Sequence, residues 1–466
     1  MTSRIGLALI VAAGICTGCA DSRSQGESTS GLNSDSKSAT FDDQVGADLR
    51  DGRFRTRRSS TDPSEEEFDA LSAIGYSAGT QEAPSESGVT RHVQSATSAG
   101  LNFFVSGHAP TALLMDMSGE IIHSWAAKFE DIWPDHADVS DRADSKFWRR
   151  AYLFPNGDVI AIFESLGIVK LNRNSEVIWK NSIQVHHDFQ IEDSGDLYAL
   201  VRRITHEPSA VDTVRNLSNT RVESKRDERV SILQDYVVYF DEELKAVRTL
   251  SILECFENSE SEHPWRRAAL TFWSKEEQRS LIGSHRDIFH TNSLEVLDGS
   301  IADRVPAFAK GNYLVSLRHL DMIAVLDPNA KQVVWSLAGA SVVQHDAQIT
   351  SDGHLLYFDN QWQPGRTRIV IMDALTREPV WEYGTEPGQD LYSETCGTVQ
   401  ELPNQNLLIT ETDGGRAIEV TREGQVVWEF YNPYGVGDND ELIASLFEIV
   451  RLESDFPTEW METAER

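Results

Sequence analysis

Residues 186–200 read HHDFQIEDSGDLYAL, and residues 345–358 read HDAQITSDGHLLYF. Both follow one template: His-Asp-x-Gln-Ile, three residues, Gly, one residue, Leu. Two further segments keep its frame, RRAYLFPNGDVIAIF from Arg149 and GTVQELPNQNLLITE from Gly397. In these four, the turn position is Gly157, Gly195, Gly353 or Gln405, always eight residues after the first. A fifth copy starts as HTNSLEVL at His290 and resumes at KGNYLVSLRHLDMIAVLD after an insertion near 299–309.

Each unit continues as strand, turn and strand, and many end in tryptophan: IVKLNRNSEVIW, VVYFDEELKAVRTL, IAVLDPNAKQVVW, IVIMDALTREPVW and AIEVTREGQVVW. TALLMDMSGEIIHSW, 111–125, is the same half again, which makes six units. Units of about 40 to 50 residues with four strands each predict an all-β, six-bladed β-propeller. The first unit lacks a strand, and LIASLFEIVRL, 442–452, is placed to supply it and close the ring. Closure removes the free sheet edges that invite aggregation. The tryptophans Trp179, Trp335, Trp381 and Trp428 read as blade packing.

The propeller is expected over 96–455, with insertions at 203–229 and 252–289, the second carrying a helix-like pattern just ahead of His290. Long insertions in a compact scaffold commonly act as lids or binding loops. Residues 20–95 are rich in Ser, Asp, Glu, Gly and Thr and read as a disordered tether, apart from a helical pattern at 65–76. Residues 456–466 read as an acidic tail. The first 19 residues combine an apolar run with Thr17-Gly18-Cys19, as a secretory signal does before its cleavage site. They resemble a bacterial lipoprotein signal with Cys19 as the lipidated residue, which predicts export to the cell envelope and no other membrane contact. Cys255 and Cys396 then remain, expected as two separate buried thiols.

The chain has 466 residues and a formal net charge of -32. That excess argues against nucleic acid or anionic membrane as a partner and makes any anion site a local exception. Equivalent positions in a propeller lie at one level around its axis. The opening ring reads Arg149, His187, His290, His345 and Gly397. A second ring, seven residues past each turn position, reads Glu164, Arg202, Arg318, Asn360 and Thr412. Histidines and arginines facing one axial channel predict a cationic funnel suited to carboxylate, sulfate or phosphate. Two other readings stay open. A His-Asp pair at a strand start can tie blades together, and three channel histidines can bind a transition metal, although no strand shows a second ligand at metal-binding spacing.

FHTNSLEVLD, YLVSLRHLDMIAVLD, QHDAQITSDGHLLYFDN, LLMDMSGEIIHSW and GTVQELPNQNLLITET resemble the bacterial arylsulfate sulfotransferases, six-bladed propellers of the cell envelope. The resemblance spans roughly residues 100–455. It implies transfer of a sulfuryl group from an aryl sulfate to a phenol through a sulfohistidine, with no nucleotide sulfate donor, cofactor or metal. It casts His345 as nucleophile and His290 as the group exchanging protons with the phenols. His187, Asn292 and Arg318 become holders of the sulfuryl oxygens. Asp346 departs from the family, which has a small hydroxyl residue there, and Thr395 and Tyr392 are candidates for the family's remaining site positions. The runner-up is a non-catalytic propeller of the same ancestry that binds an anion or a protein. A quinone-dependent dehydrogenase is disfavoured, because no calcium-carboxylate cluster is evident.

Overall fold

The computed structural model describes residues 79 and 81–462, apart from 137–138, 140–141, 193, 206–231, 242–243, 260–286 and 438–439. The expected signal with Cys19, the helical pattern at 65–76 and most of both insertions lie outside these residues. Within them, six blade sheets of antiparallel strands form, each with an innermost strand facing its neighbours, beside a two-stranded ribbon of Gly435–Val436 and Leu442–Ile443. In blade order these are Leu446–Leu452, Arg150–Leu153, Val185–Ile191, Thr291–Val296, His345–Ile349 and Thr398–Glu401. Six apolar clusters fill the structure, one between each pair of adjacent blades, so the ring closes. Burying one Leu, Ile or Phe side chain contributes about 1.5–3 kcal/mol. The propeller is the expected one.

Closure works as the missing strand predicted: Leu446–Leu452 pairs with Leu101–Ser106 as the innermost strand of the first blade. A second closure was not foreseen. Gly88–His92, which the sequence assigns to the tether, pairs with Val426–Tyr431 and adds a fifth, outer strand to the last blade. GVTRH carries little apolar signal because both its faces stay largely open. The acidic tail needs the same correction. It contains the short helix Glu459–Glu462, and Trp460 is only 7% exposed, packed 5.7 Å from Trp125 and 5.0 Å from His123. One large aromatic anchors the segment despite its charge.

The blade-end tryptophans stitch blades together. Trp125 Nε1 donates to the Gly157 carbonyl, Trp381 Nε1 to Arg422 and Trp428 Nε1 to Met117, each in the next blade. The second insertion opens with a short helix, Ile252–Glu257, capped by Ser251 Oγ, which accepts the Glu254 N–H at 3.1 Å, while the helix-like pattern expected just ahead of His290 falls on residues outside those described. Cys255 and Cys396 are both buried, and no disulfide joins them.

The inner turns need a left-handed residue. Gly157, Gly195, Gly311 and Gly353 have φ between 82° and 90°, and Gln405 stands in the same place at 67°. A residue with a Cβ pays about 1–2 kcal/mol there. Gln405→Gly is expected to stabilise the protein by about 0.5–1 kcal/mol, offset in part by added chain entropy. Denaturant unfolding checks this, with an unchanged m-value.

Candidate active site in the axial channel

Neighbouring inner strands are clasped by side chains. Asp188 Oδ2 accepts the Leu294 N–H, Ser293 Oγ the Ala347 N–H and Asp346 Oδ2 the Val399 N–H, at 2.8, 3.1 and 2.7 Å. Two residues on, Gln190, Glu295 and Gln400 accept from Val296, Ile349 and Arg451. This register identifies the residues at one level as Arg149, His187, Asn292, His345, Gly397 and Phe447. Asn292, not His290, therefore holds the fourth ring position. His290 stands two residues earlier and swings in with φ 47°. Its ring still lies edge-on to His187, 4.8 Å between centroids.

The clasps settle the role of Asp346. Its carboxylate binds Val399 N–H and Gln348 Nε2, so it neither touches the His345 imidazole nitrogens nor is aimed at a ligand beside them. Burial, partly offset by Arg150, pushes it up to about 7. Arg150 forms ion pairs with Asp188 and Glu448 at 2.9 Å on the same level. Of each His-Asp pair, the aspartate ties blades and the imidazole is left for the channel.

His345 is 3% exposed. Its Nδ1 lies 2.8 Å from Asn360 Oδ1. Asn360 Nδ2 donates to the Ser393 and Cys396 carbonyls at 3.0 and 2.6 Å, which fixes the amide with its oxygen toward the imidazole. Nδ1 must carry the proton, and Nε2 presents a lone pair with no hydrogen-bond partner among the described residues. Burial, with Arg318 and Arg149 nearby, holds the imidazole well below its ordinary value, so it is neutral at pH 7.

His290 is built differently. Asp287 Oδ1 accepts its backbone N–H at 2.9 Å, and Oδ2 accepts Nδ1–H at 2.6 Å. Burial lowers His290 to about 4, against the pull of Asp287. Burial pushes the Asp287 carboxyl up, but Arg202, His290 and His319 outweigh it and hold the group well below the usual range. The His319 ring lies 4.6 Å from that of His290, tilted by 35°, and donates Nδ1–H to the Asp287 backbone carbonyl at 2.9 Å. Asp287, His319 and His186 were not singled out from the sequence. Asp287, three residues ahead of His290 in DIFH, was legible as a capping turn; the other two were not.

The cationic funnel is narrower than expected. Arg202 is balanced by Asp235 at 3.3 Å and Asp287 at 3.6 Å. The Arg318 guanidinium makes no hydrogen bond or ion pair among the described residues, and burial lowers it below its ordinary value. It lies within electrostatic reach of His345 and His290. Asn292 donates Nδ2–H to the Gln344 carbonyl at 2.9 Å, which leaves one N–H for a ligand and Oδ1 buried without a partner among the described residues. Thr412 Oγ1 accepts the Gly397 N–H, and a Cβ on Gly397 would meet the Phe358 ring at 2.4 Å. Thr395 is bound to Asp413 through its N–H and hydroxyl, while Tyr392 lines a separate open pocket with Glu411, Arg416 and Tyr431.

Asn360→Ala removes the acceptor that sets the His345 tautomer. The loss of a buried partner is expected to cost about 1–3 kcal/mol. Nitrogen-15 NMR of the imidazoles should show His345 as the Nδ1–H form in the parent and a mixture in the variant.

The arylsulfotransferase (ASST) family matches residues 150–433 of the chain. No curated protein matches it in sequence. Solved structures similar to it include a protein of unknown function from Bacteroides caccae, at 11% identity, covering 75% of this chain and 98% of that one, TM-score 0.46. A streptogramin B lyase is 10% identical over 80% of this chain and 97% of its own, TM-score 0.39. A virginiamycin B lyase from Staphylococcus aureus is 8% identical over 76% and 90%, TM-score 0.37. With the family covering more than half of its length, the chain belongs to the arylsulfotransferases.

Proposed function

We propose that the chain is an arylsulfate sulfotransferase that moves a sulfuryl group from an aryl sulfate to a phenol through a sulfohistidine at His345. The observation that carries this reading is the locked Nε2 lone pair of His345 near Arg318, whose guanidinium has no ion pair among the described residues. Neutral imidazole is a competent nucleophile, and a covalent intermediate divides one difficult displacement into two.

In the first step the His345 Nε2–S bond forms as the S–O(aryl) bond breaks. The departing oxygen takes a proton from His290, whose imidazolium is favoured once the sulfate's negative charge enters beside it. In the second step the acceptor phenol gives its proton to His290, its oxygen attacks sulfur, and the N–S bond breaks. His345 returns neutral with Nδ1–H still on Asn360. Arg318, the free N–H of Asn292 and an N–H of His187 are the donors for the sulfuryl oxygens. Each preorganised donor contributes on the order of 2.7–4 kcal/mol to such a transition state.

Brief exposure to an aryl sulfate, followed by mass spectrometry, should find one added sulfuryl group on His345 and none in His345→Ala. Arg318→Met is expected to lower the rate of phenol release about 10²- to 10³-fold. An unlabelled His345 with no turnover would leave the second reading, a channel that binds oxyanions without transferring them.

The depressed basicity of His345 sets the pH dependence. An exposed imidazole with a pKa of about 6.5 keeps only about 3% of its neutral form at pH 5. His345 titrates well below that value, so its nucleophilic form persists as pH falls. Single-turnover labelling of His345 should lose less than about threefold between pH 7.5 and 5, where an ordinary imidazole would lose about 30-fold.

We also propose that the chain is exported and lipid-anchored at Cys19, on the small residues Thr17 and Gly18 ahead of it. Labelling with a radioactive fatty acid, abolished by Cys19→Ser, tests this.

A further inference from the structure

Two groups of side chains in the channel wall each bring three metal-competent atoms within 4.8 Å of one another: Glu164, His186 and His187, and Asp287, His290 and His319. Hydrogen bonding separates them. In the second group, His290 and His319 both donate Nδ1–H to Asp287, at 2.6 and 2.9 Å. In the first, Glu164 Oε1 and His186 Nε2 are buried and make no hydrogen bond among the described residues. The Nδ1 atoms of His186 and His187 face each other across 2.7 Å, and Glu164 Oε1 lies 3.4 Å from His187 Nδ1. One proton can bridge two facing ring nitrogens, but it leaves the carboxylate oxygen at the same spot unmatched. A cation in the proton's place satisfies all three atoms.

We propose that Glu164 Oε1, His186 Nδ1 and His187 Nδ1 form a divalent transition-metal site. Metal–ligand bonds of about 2.0–2.1 Å put neighbouring ligands of a tetrahedral site roughly 3.3 Å apart; Glu164 Oε1 and His187 Nδ1 already stand at 3.4 Å, and the two Nδ1 atoms, at 2.7 Å, part by about 0.6 Å as the cation enters. Two imidazoles and one carboxylate suit zinc, iron(II) or manganese(II). Burial keeps both imidazoles neutral, which is the ligating form.

The surroundings fit a metal ligand set. Coordination through Nδ1 leaves the His186 proton on Nε2, which faces Asp235 Oδ1 at 3.4 Å. A carboxylate behind a ligating imidazole fixes its ring and raises its basicity. Asp235 is itself held by Arg202 and by the Thr291 N–H at 2.8 Å. Across the three elements that face the site, the carboxylates Glu164, Asp235 and Asp287 meet the guanidinium groups of Arg149 and Arg202. Adjacent residues of a regular strand point to opposite faces. The φ of 55° at His187 turns the two imidazoles together, which is why no metal-binding spacing shows in the sequence. Metal on Nδ1 also keeps a proton on His187 Nε2, the form that donates to an oxyanion.

The full chain, stripped with a chelator, is dialysed separately against zinc, manganese and cobalt with no aryl sulfate present. One equivalent should bind, and Glu164→Gln and His186→Gln should each weaken binding at least about 100-fold. Asp287→Asn and His345→Ala should bind as the parent does, so this result is independent of sulfuryl transfer. X-ray absorption at the cobalt edge of the parent protein should show two imidazoles, a reading that needs no variant to fold. Absence of stoichiometric binding, equal affinity in Glu164→Gln, loss confined to Asp287→Asn, or a cobalt shell without two imidazoles would each overturn the proposal.

Discussion

The hydrogen-bonded clasp between neighbouring inner strands is the constraint on which the channel depends. An aspartate or serine side chain at one position reaches sideways to a backbone N–H of the next blade, as Asp188, Ser293 and Asp346 do. The preceding residue is then directed to the axis, and that residue is His187, Asn292 or His345. Pointing two consecutive residues at such different targets breaks regular pairing. The ladders slip at 199–201, 291–293 and 345–348. Left-handed backbone appears at His187, His290 and Asp346, none of them glycine. Such conformations cost of order 1–3 kcal/mol each and persist where the surroundings over-determine them. Here the clasps, the Glu164 carboxylate on the His187 N–H and Asp287 on the His290 N–H supply that determination.

The propeller was legible because its turn residues recur at a fixed offset while the strands between them alternate. Where an insertion masked the offset, the reading slipped. Residues 299–309 hide Gly311, the turn glycine of the fourth blade, and counting from His290 put that residue in a ring place that Asn292 occupies. The count failed by two residues, yet His290 still reaches the channel, because a bulge returns it there. Groups that act through tertiary contact left no local mark: His186 is an extra histidine until His187 turns back onto it, and His319 follows Arg318 in a short turn. Gly88–His92 and Trp460 were missed for a shared reason. Each is held by contacts with a strand distant in sequence rather than by a periodic pattern of its own.

A chain with a net charge of -32 builds an anion site by local exception. Most basic groups near the axis are matched by carboxylates: Arg150 by Asp188 and Glu448, Arg202 by Asp235 and Asp287. Exposed charges farther off than the screening length of about 8 Å contribute little to a buried site. What remains at the mouth of the ring is Arg318, without an ion pair among the described residues. Its guanidinium is destabilised by burial, and a bound oxyanion relieves that cost. The overall acidity of the protein therefore does not oppose an anionic donor at the one place where chemistry is proposed.

What holds Nδ1 distinguishes the three channel histidines. A neutral amide holds it in His345, so the ring keeps one tautomer, gains no charge and shows a bare Nε2 lone pair. A carboxylate holds it in His290, which makes protonation easier there than burial alone would allow and suits the ring to pass a proton back and forth. Another imidazole faces it in His187, and in that neutral pair either ring can carry the shared proton until a cation takes its place. Three identical side chains lining one channel thus acquire three different reactivities from partners one contact away. The histidine repeat announces the channel, but the division of labour within it is written in Asn360, Asp287 and His186.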